Sequence, residues 1–379
     1  MILKTQYVSI SNYKKLLAII CLTYSLGLVS KANSQSRFPS QLATDLQFEL
    51  DNWAKDSNHI GVSASVILKD GSQWTGTSGI SALGKDLKED ELIWIASITK
   101  TITGAIILKL YEENKLSLND SIAQWLPVMK NIDPKITIKQ LLNHTNGLSN
   151  YTRNPKLSKD IQNDSTHIFT ANELMSYVGP KEFDAGEKTQ YTNTAFVLLG
   201  MIAESVTKKT IYVLYKEMIW EPLGLTDIFL PGYESTENSV ATAWLRLSDK
   251  FEPIEPLNNM SLLSIGYSAF GLLSNTKTIA KWGHTLFRDY FINESTYEEM
   301  LTFVPAAGNI YGESGAGLGI RKYNFLNREQ YGHSGGSPLG SSLMLYDPTS
   351  EITVVVIMNQ GRNAQHFQLA PKLLEVSSK

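Results

Sequence analysis

A serine and a lysine stand three residues apart at Ser97 and Lys100, directly after the apolar stretch 92–95. If a helix begins near Ala96, both side chains lie on one face of it, because residues i and i+3 are neighbours on a helix surface. The amine can then hold the serine oxygen, which is the arrangement of a serine nucleophile beside a base. Free backbone N–H groups in the first helical turn would favour an anionic acyl-transfer intermediate. Since Ser-x-x-Lys also occurs by chance, the pair needs further elements beside it.

A second candidate element is Tyr191-Thr192-Asn193, which follows a turn at 183–187 and precedes a helical pattern. A tyrosine oxygen near a lysine ammonium can be held partly ionised, and it could take the serine proton and return it to the leaving group. Asn193 offers an amide that could orient Lys100 or bind a substrate carbonyl. The alternative is a tyrosine that starts a helix and packs in the core.

The third candidate element is His333-Ser334-Gly335-Gly336, on an expected strand edge. Such an edge can pair with an extended peptide or amide substrate, and glycines allow the backbone to approach it closely. The N–H groups of Gly336 and Ser97 could form an oxyanion hole, whose single donors are typically worth about 10²–10³ in rate. His333 would add a donor near a substrate carboxylate or the serine. The alternative is a glycine-rich hairpin with a structural histidine.

The three elements resemble, in composition and order, the motifs of the serine β-lactamase and penicillin-binding family, in its class C β-lactamase, DD-carboxypeptidase and esterase branch. Three further family-like segments stand at 141–148, 186–204 and 221–225. The resemblance therefore covers nearly the whole chain after its N-terminal segment.

The resemblance implies that Ser97 is the acylated nucleophile and that Lys100 and Tyr191 share proton transfer. Which of these two is the general base stays open. The resemblance further implies substrate-binding roles for a set of polar and glycine residues, namely Asn193, His333, Ser334, Gly335 and Gly336.

The third motif departs from the Lys-Thr-Gly of typical β-lactamases, because a histidine stands at its first position. A histidine there resembles the DD-peptidase, D-aminopeptidase and esterase members. We therefore expect an exported serine hydrolase that acts on D-amino-acid peptides or small esters. The alternatives are a class C-like β-lactamase and a penicillin-recognising protein with little turnover.

The positioning elements are predicted as an α/β (α+β) fold, an antiparallel sheet flanked by helices with an inserted helical subdomain. A hairpin is expected over 61–79, since Asp-Gly at its centre favours a tight turn. Strands return in the last third of the chain, and a closing helix is expected over 363–376. The predicted domain consists of a sheet part, at about 35–115 and 300–379, and a helical part at about 116–299.

Two stretches are less informative. Residues 149–170 lack clear periodicity and are expected to form a loop over the site. The residues of such a loop would determine substrate selectivity. Residues 230–262 show no assignable pattern.

Residues 1–34 are typical of a secretory signal, with lysines before an apolar run and small residues after it. The run at 16–29 is short for a membrane span, so we expect cleavage and export to the periplasm or the outside, without a stable membrane span. Retention as an N-terminal anchor is the alternative. The only cysteine, Cys21, lies inside this run, so the exported protein would have no disulfide and no thiol nucleophile.

Charge and composition narrow the choice of partners. The 379 residues carry a formal charge of −3, and removal of the signal takes away four lysines and no acid, which leaves about −7. An acidic chain without a basic run argues against nucleic acid. The six histidines show no ligand-pair spacing, so neither a metal nor another cofactor is expected. The expected partner is a D-amino-acid peptide, ester or β-lactam substrate, and the oligomeric state stays open.

Overall fold

The computed structural model describes residues 37–57, 59–247, 250–306, 311–361 and 365–379. The signal predicted at residues 1–34 lies outside these residues. Within them, no helix has both the length and the apolar character needed to cross a membrane.

The strands follow the chain in fourteen short segments of the described part. They are β1 (Gly61–Ile67), β2 (Gln73–Ala82), β3 (Lys85–Asp86), β4 (Ile93–Trp94), β5 (Ile228–Phe229), β6 (Ala243–Leu247), β7 (Lys250–Ile254), β8 (Leu273–Ser274), β9 (Val304–Pro305), β10 (Glu313–Ala316), β11 (Arg321–Phe325), β12 (Arg328–Gly336), β13 (Ser341–Asp347) and β14 (Ile352–Met358).

In chain order, most α-helices of the described part lie between strands β4 and β9. They are α1 (Ser40–Ser57), α2 (Thr99–Glu112), α3 (Ile138–Leu142), α4 (Pro155–Asn163), α5 (Ala171–Ser176), α6 (Asn193–Thr207), α7 (Ile211–Tyr215), α8 (Glu221–Leu223), α9 (Met260–Ser264), α10 (Tyr267–Phe270), α11 (Thr276–Phe287), α12 (Glu294–Met300) and α13 (His366–Ser377). Short 3₁₀ turns occur at Ala96–Ile98, Ile122–Gln124, Tyr151–Arg153 and Pro256–Asn258, and Lys216–Trp220 is a π-helical turn.

The main sheet has nine strands in the order β3-β2-β1-β14-β13-β12-β11-β10-β9. Each of its pairings is antiparallel. The β1–β2 pairing confirms the predicted hairpin, whose turn contains Gly71 at φ 82°. A positive φ costs glycine little, which explains why the Asp-Gly pair stands there.

The central strands β1, β13 and β14 are buried along their whole length. Their apolar runs need cover on both faces. Helices α1 and α13 pack on one face and share a core with strand residues such as Val62 and Val354. Helix α11 packs on the other, where a Cβ added at Gly283 would stand 2.7 Å from Met344 Sδ. The predicted fold class is confirmed: an antiparallel sheet is flanked by helices, and further helices are inserted between its strands along the chain.

The stretch expected to form a loop over 149–170 is in part helical, so that expectation is wrong. Asn150 caps the turn Tyr151–Arg153, and Asn154 then caps α4 with Pro155 in its first turn. Capping and a first-turn proline start a helix without apolar periodicity, which is why the pattern missed it. The stretch 230–262 contains the hairpin β6–β7, of which the structure describes all but residues 248–249.

Candidate active site

The chain turns sharply at Ala96, where strand β4 passes into the helical segment. Ala96 has φ 47°, a left-handed conformation that is uncommon for a residue with a side chain. Hydrogen bonds hold the turn, from Ser342 Oγ to the Ile95 carbonyl at 2.7 Å and from Thr99 Oγ1 to the Ala96 carbonyl at 2.7 Å. The turn places Ser97 in the 3₁₀ segment that leads into α2, with 7% of its surface exposed.

Lys100 lies one turn further along and is fully buried. Its Nζ is 3.1 Å from Ser97 Oγ, as the i, i+3 spacing predicts. Two other oxygens contact the same nitrogen, Asn193 Oδ1 at 2.8 Å and the Ala269 carbonyl at 2.8 Å. All three partners are neutral, so the amine is buried with hydrogen bonds but without a carboxylate against it.

Tyr191 brings its hydroxyl to 2.6 Å from Ser97 Oγ. Two proton arrangements satisfy these contacts with the same number of protons. In one, a neutral Lys100 amine donates to Asn193 and Ala269, Ser97 donates to the amine lone pair, and Tyr191 donates to Ser97. In the other, a Lys100 ammonium donates to all three acceptors and Ser97 donates to a Tyr191 phenolate. Either residue is therefore placed to accept the serine proton.

Burial dominates the electrostatics of this group. It lowers the pKa of Lys100 well below its ordinary value, and the nearby Arg321 guanidinium lowers it further. Burial raises the pKa of Tyr191, while the Ser97 hydrogen bond and Arg321 act in the opposite direction. The sequence suggested a tyrosine held partly ionised by the lysine. In the fold, desolvation opposes that ionisation.

Asn193 is the first residue of α6. The preceding residue, Thr192, caps this helix, because its Oγ1 accepts a hydrogen bond from Thr194 N. The amide of Asn193 holds Lys100 through its oxygen, as given above, and its Nδ2 lies 3.5 Å from Thr152 Oγ1. The structure thus places Asn193 where it orients the lysine, one of the two roles that the sequence left open.

His333 lies on β12 and is 3% exposed, with its ring 6.2 Å from the Tyr191 ring. Burial, Arg321 and Lys100 lower its pKa well below the ordinary value, so the ring is neutral at neutral pH. Its Nδ1 stands 2.5 Å from the Ser334 carbonyl, which can only accept. The proton assigned to Nδ1 leaves Nε2 as an acceptor. In this tautomer Nε2 is placed to accept a hydrogen bond, whereas the sequence analysis predicted a donor near a substrate carboxylate or the serine.

The edge of β12 is open at this point. Its pairing with β11 ends at Gly332, whereas its pairing with β13 continues to Gly336. A Cβ at Gly335 would stand 2.4 Å from the Ile95 carbonyl, so only glycine lets the strand lie against the nucleophile turn. A Cβ at Gly336 would meet nothing within 4 Å, which leaves its backbone accessible.

Ser334 is the predicted site residue whose side chain the structure places elsewhere. Side chains alternate between the two faces of a strand. The Ser334 hydroxyl lies beside Tyr323, a residue in the core under α1 and α13. Ser334 can therefore serve the site only through its backbone.

Three residues near Tyr191 were missed by the sequence analysis, the buried Arg321 and His144 and the half-buried Glu313. The Arg321 guanidinium lies 5.0 Å from the Tyr191 ring centroid and forms a 2.6 Å ion pair with Glu313. The His144 ring lies 4.7 Å from the same ring, on a residue with φ 61° that follows α3. An arginine among alternating strand residues gives no sequence sign of burial. His144 stood inside a family-like segment, but the sequence analysis assigned it no role.

The described ranges contain no group of three or more histidine, cysteine, aspartate or glutamate residues that could hold a metal ion.

Comparison with known proteins agrees with this geometry. The family model described as Beta-lactamase matches residues 50–377. Protein flp of Staphylococcus aureus (strain NCTC 8325 / PS 47) is 33% identical over 200 residues, which is 49% of this chain and 39% of that protein. Penicillin-binding protein 4* of Bacillus subtilis (strain 168) is 25% identical over 312 residues, or 77% of this chain and 66% of that protein. The matches thus span less than two thirds of these relatives' own length.

Among solved structures, a D-stereospecific amidohydrolase from Streptomyces sp. superposes with a TM-score of 0.76 at 27% identity, over 88% of this chain and 98% of that chain. The family match includes Ser97, Lys100, Tyr191 and the strand from His333 to Gly336. With the three motifs gathered in one site and the family match spanning most of the chain, the protein belongs to the serine β-lactamase and penicillin-binding protein family.

Proposed function

We propose that the chain is a serine hydrolase that forms an acyl-enzyme on Ser97 and acts on D-amino-acid peptides and amides or on small esters. The observation that carries this proposal is the contact of one serine oxygen with both a buried amine and a phenol, at 3.1 Å and 2.6 Å. A nucleophile with two proton acceptors in reach is the arrangement that covalent acyl transfer needs.

In the proposed reaction Ser97 Oγ attacks the substrate carbonyl, and its proton passes to the Lys100–Tyr191 pair. When the tetrahedral intermediate collapses, the C–N or C–O bond breaks and the pair returns the proton to the leaving nitrogen or oxygen. Water then attacks the acyl-enzyme. The pair takes a proton from this water and gives it to Ser97 Oγ as the acid leaves. Atoms and protons balance over the cycle, and both residues end in their starting state.

The open edge of β12 supports an amide or peptide substrate. An extended substrate backbone can pair with the unpaired edge beside Gly335, next to the nucleophile turn. The N–H groups of Ser97 and Gly336 are the proposed oxyanion donors. A neutral His333 offers an acceptor at Nε2, which suits a substrate N–H rather than a carboxylate.

The relatives favour the same substrate class. The Streptomyces protein is described as a D-stereospecific amidohydrolase, and its superposition on this protein covers most of both chains. This supports D-configured amides and peptides ahead of β-lactams. Export to the periplasm or the outside, as the signal at residues 1–34 suggests, would place the enzyme where such peptides occur in the cell wall.

The alternative is a class C-like β-lactamase or a penicillin-binding protein with slow turnover. The observation in its favour is the penicillin-binding relative from Bacillus subtilis, which matches 77% of this chain. The two proposals share the acylation step and differ in how fast water releases the acyl group.

The test is an intact-mass time course of the protein from residue 35 onward with benzylpenicillin, D-phenylalanine amide, a D-alanyl-D-alanine peptide and 4-nitrophenyl acetate. We expect hydrolysis of the amide, peptide or ester, and a mass increase that peptide mapping locates on Ser97. Ser97→Ala should abolish both. The matched control is Ser295→Ala, an exposed serine in the first turn of α12.

Each outcome decides between the proposals. A lasting adduct with the penicillin and no other turnover would favour the penicillin-binding alternative, and a transient adduct with antibiotic consumed would favour the β-lactamase. If Ser97→Ala hydrolyses every substrate as fast as the unchanged protein, Ser97 is not the nucleophile and both proposals fall.

A further inference from the structure

An arginine–glutamate pair lies directly over the catalytic tyrosine. Arg321 on β11 is 5% exposed at its side chain, and its guanidinium carbon is 5.0 Å from the centre of the Tyr191 ring. Glu313 on the neighbouring strand β10 holds it through the 2.6 Å ion pair. This planar cation against an aromatic ring is a stacking arrangement that arginine favours.

A charge in this position is costly for the fold. Removing a guanidinium from water carries a desolvation penalty of several kcal/mol that one ion pair offsets only in part. Arg321 also makes a proton on Lys100 or on His333 less favourable, because it lowers the pKa of both groups. An apolar side chain would fill the same space without the desolvation penalty. The position therefore suggests a role in the chemistry.

We propose that Arg321, held by Glu313, is a positioning residue for the Lys100–Tyr191 pair: its guanidinium fixes the Tyr191 ring, and its charge favours the state of the pair that holds one proton fewer. That state is the one in which the pair can accept the Ser97 proton. The inference rests on the proposed function, since it assigns a role within the same site.

The direction follows from the charges that face Tyr191. Arg321 lowers the pKa of Tyr191 and Glu313 raises it. The other groups around the ring are Lys100 on α2, His333 on β12, and the buried His144 and Tyr151, of which His144 is neutral because burial and Arg321 lower its pKa. A fixed positive charge disfavours the doubly protonated pair, an ammonium beside a phenol, relative to the state with one proton fewer.

The test compares two variants that both lack the Glu313 carboxylate and differ in whether Arg321 is present. Glu313→Gln removes the carboxylate and leaves the Arg321 charge unopposed. The double variant Arg321→Met with Glu313→Gln removes both charges, so that no carboxylate is left buried without its partner. The second comparison isolates Arg321, because both proteins lack Glu313.

The readout is the rate at which a fluorophosphonate modifies Ser97, followed by intact mass between pH 5 and pH 10. The rate should rise with pH as the pair loses its extra proton. We expect the midpoint of this rise to be lowest in Glu313→Gln and higher by about one pH unit in the double variant, the shift expected of a charge at this distance. Arg321→Lys should keep the low midpoint but react more slowly, since an ammonium does not hold the ring as a planar fork does.

His333 could itself produce a rise with pH, so the comparison is repeated with His333→Asn in both proteins. The shift should persist. If the midpoints of Glu313→Gln and the double variant coincide while all rates fall together, Arg321 is only structural and the inference is wrong. If the unchanged protein is not modified on Ser97 at any pH, the proposed function fails instead, and the two failures remain distinct.

Discussion

Two buried ionisable side chains lie near opposite ends of the strand pair β12–β13, Asp347 on β13 itself and Lys100 on the neighbouring helix α2, and they are held in opposite ways. At one end Asp347 is fully buried, forms a 2.6 Å ion pair with Arg328, and accepts hydrogen bonds from Thr349 N at 2.8 Å and Ser350 N at 3.1 Å. At the other end, beside His333, lies Lys100, whose three hydrogen-bond partners are all neutral. One charge is compensated and the other is not.

The difference separates a structural charge from a reactive one. A paired carboxylate keeps its charge and fixes the backbone turn after β13, because it accepts hydrogen bonds from two backbone N–H groups of that turn. A buried amine without a counter-charge loses its preference for the proton, so it can exchange one with Ser97 or Tyr191. Burial is common to Asp347 and Lys100, so burial alone does not separate them. What separates them is that the direct partners of Lys100 include no countercharge.

Of the substitutions at the two buried groups, Lys100→Met should have the largest effect, and the effect is on the rate of Ser97 acylation. Methionine fills the space of the lysine stem but accepts no proton from Ser97 and orients no hydroxyl. We expect the rate of Ser97 acylation to fall by about 10²–10⁴-fold, the range typical of a lost proton-transfer group. The measurement is the rate of Ser97 modification by intact mass, as acylation by 4-nitrophenyl acetate or as phosphonylation by a fluorophosphonate, which releases fluoride.

The control for that variant is Lys69→Met, in which the lysine is 67% exposed and pairs with Glu351 on the surface. We expect its acylation rate to stay within a factor of two or so, since an exposed ion pair contributes about 0–1 kcal/mol to stability and nothing to the site. An unchanged rate in Lys100→Met would leave Tyr191 as the sole base.

Asp347→Asn should act in the opposite way, on stability and not on chemistry. The variant keeps an oxygen for the two backbone N–H groups but removes the charge that Arg328 needs. Since Arg328 is 28% exposed and can turn to water, we expect a loss of about 2–3 kcal/mol, below the usual range for breaking a fully buried pair. Urea unfolding gives this number, and the acylation rate should not change. A slowed acylation at full stability would show that the two strand ends are coupled.

The sequence predicted more of the site than of its surroundings. Ser97 and Lys100 were found together because an i, i+3 spacing places them on one helix face, whatever the rest of the fold does. Tyr191 and His333 were found through short motifs, and only the tertiary fold shows that Tyr191 contacts the serine. Arg321 and Glu313 were not found, because only the tertiary fold brings the Arg321 guanidinium against the Tyr191 ring and buries it there.

The same limit applies to the fold. The hairpin β1–β2 was predicted, since an Asp-Gly turn between two apolar runs is a local instruction. Helix α4 was missed because caps start it and burial of Leu157 alone anchors its apolar side. The nine-strand order could not be read, since β1 pairs with β14 from the far end of the chain. A turn between neighbouring strands can thus be predicted from the sequence, whereas the pairing of strands that are far apart in the chain cannot.

The smallest expected effect concerns the contribution of the buried Lys100 to the free energy of unfolding as a function of pH. Burial lowers the folded-state pKa of Lys100, whereas the unfolded chain has the ordinary value. Between these two values the unfolded state binds one more proton, so stability should rise with pH across that window. The rise is at most about 1.4 kcal/mol per pH unit, and Lys100→Met should lack it.

The useful range is pH 7.5 to 9.5, measured as urea unfolding of the unchanged protein and of Lys100→Met. The histidines His144 and His333 have lowered pKa values and titrate below this range. Tyr191 has a raised pKa, and its opposite contribution, a loss of stability with rising pH, begins only where unfolded tyrosines ionise, near pH 10. The difference between the two curves therefore reports Lys100. Parallel curves would mean that three neutral acceptors hold the ammonium as firmly as water does, and that the proton acceptor beside Ser97 is Tyr191.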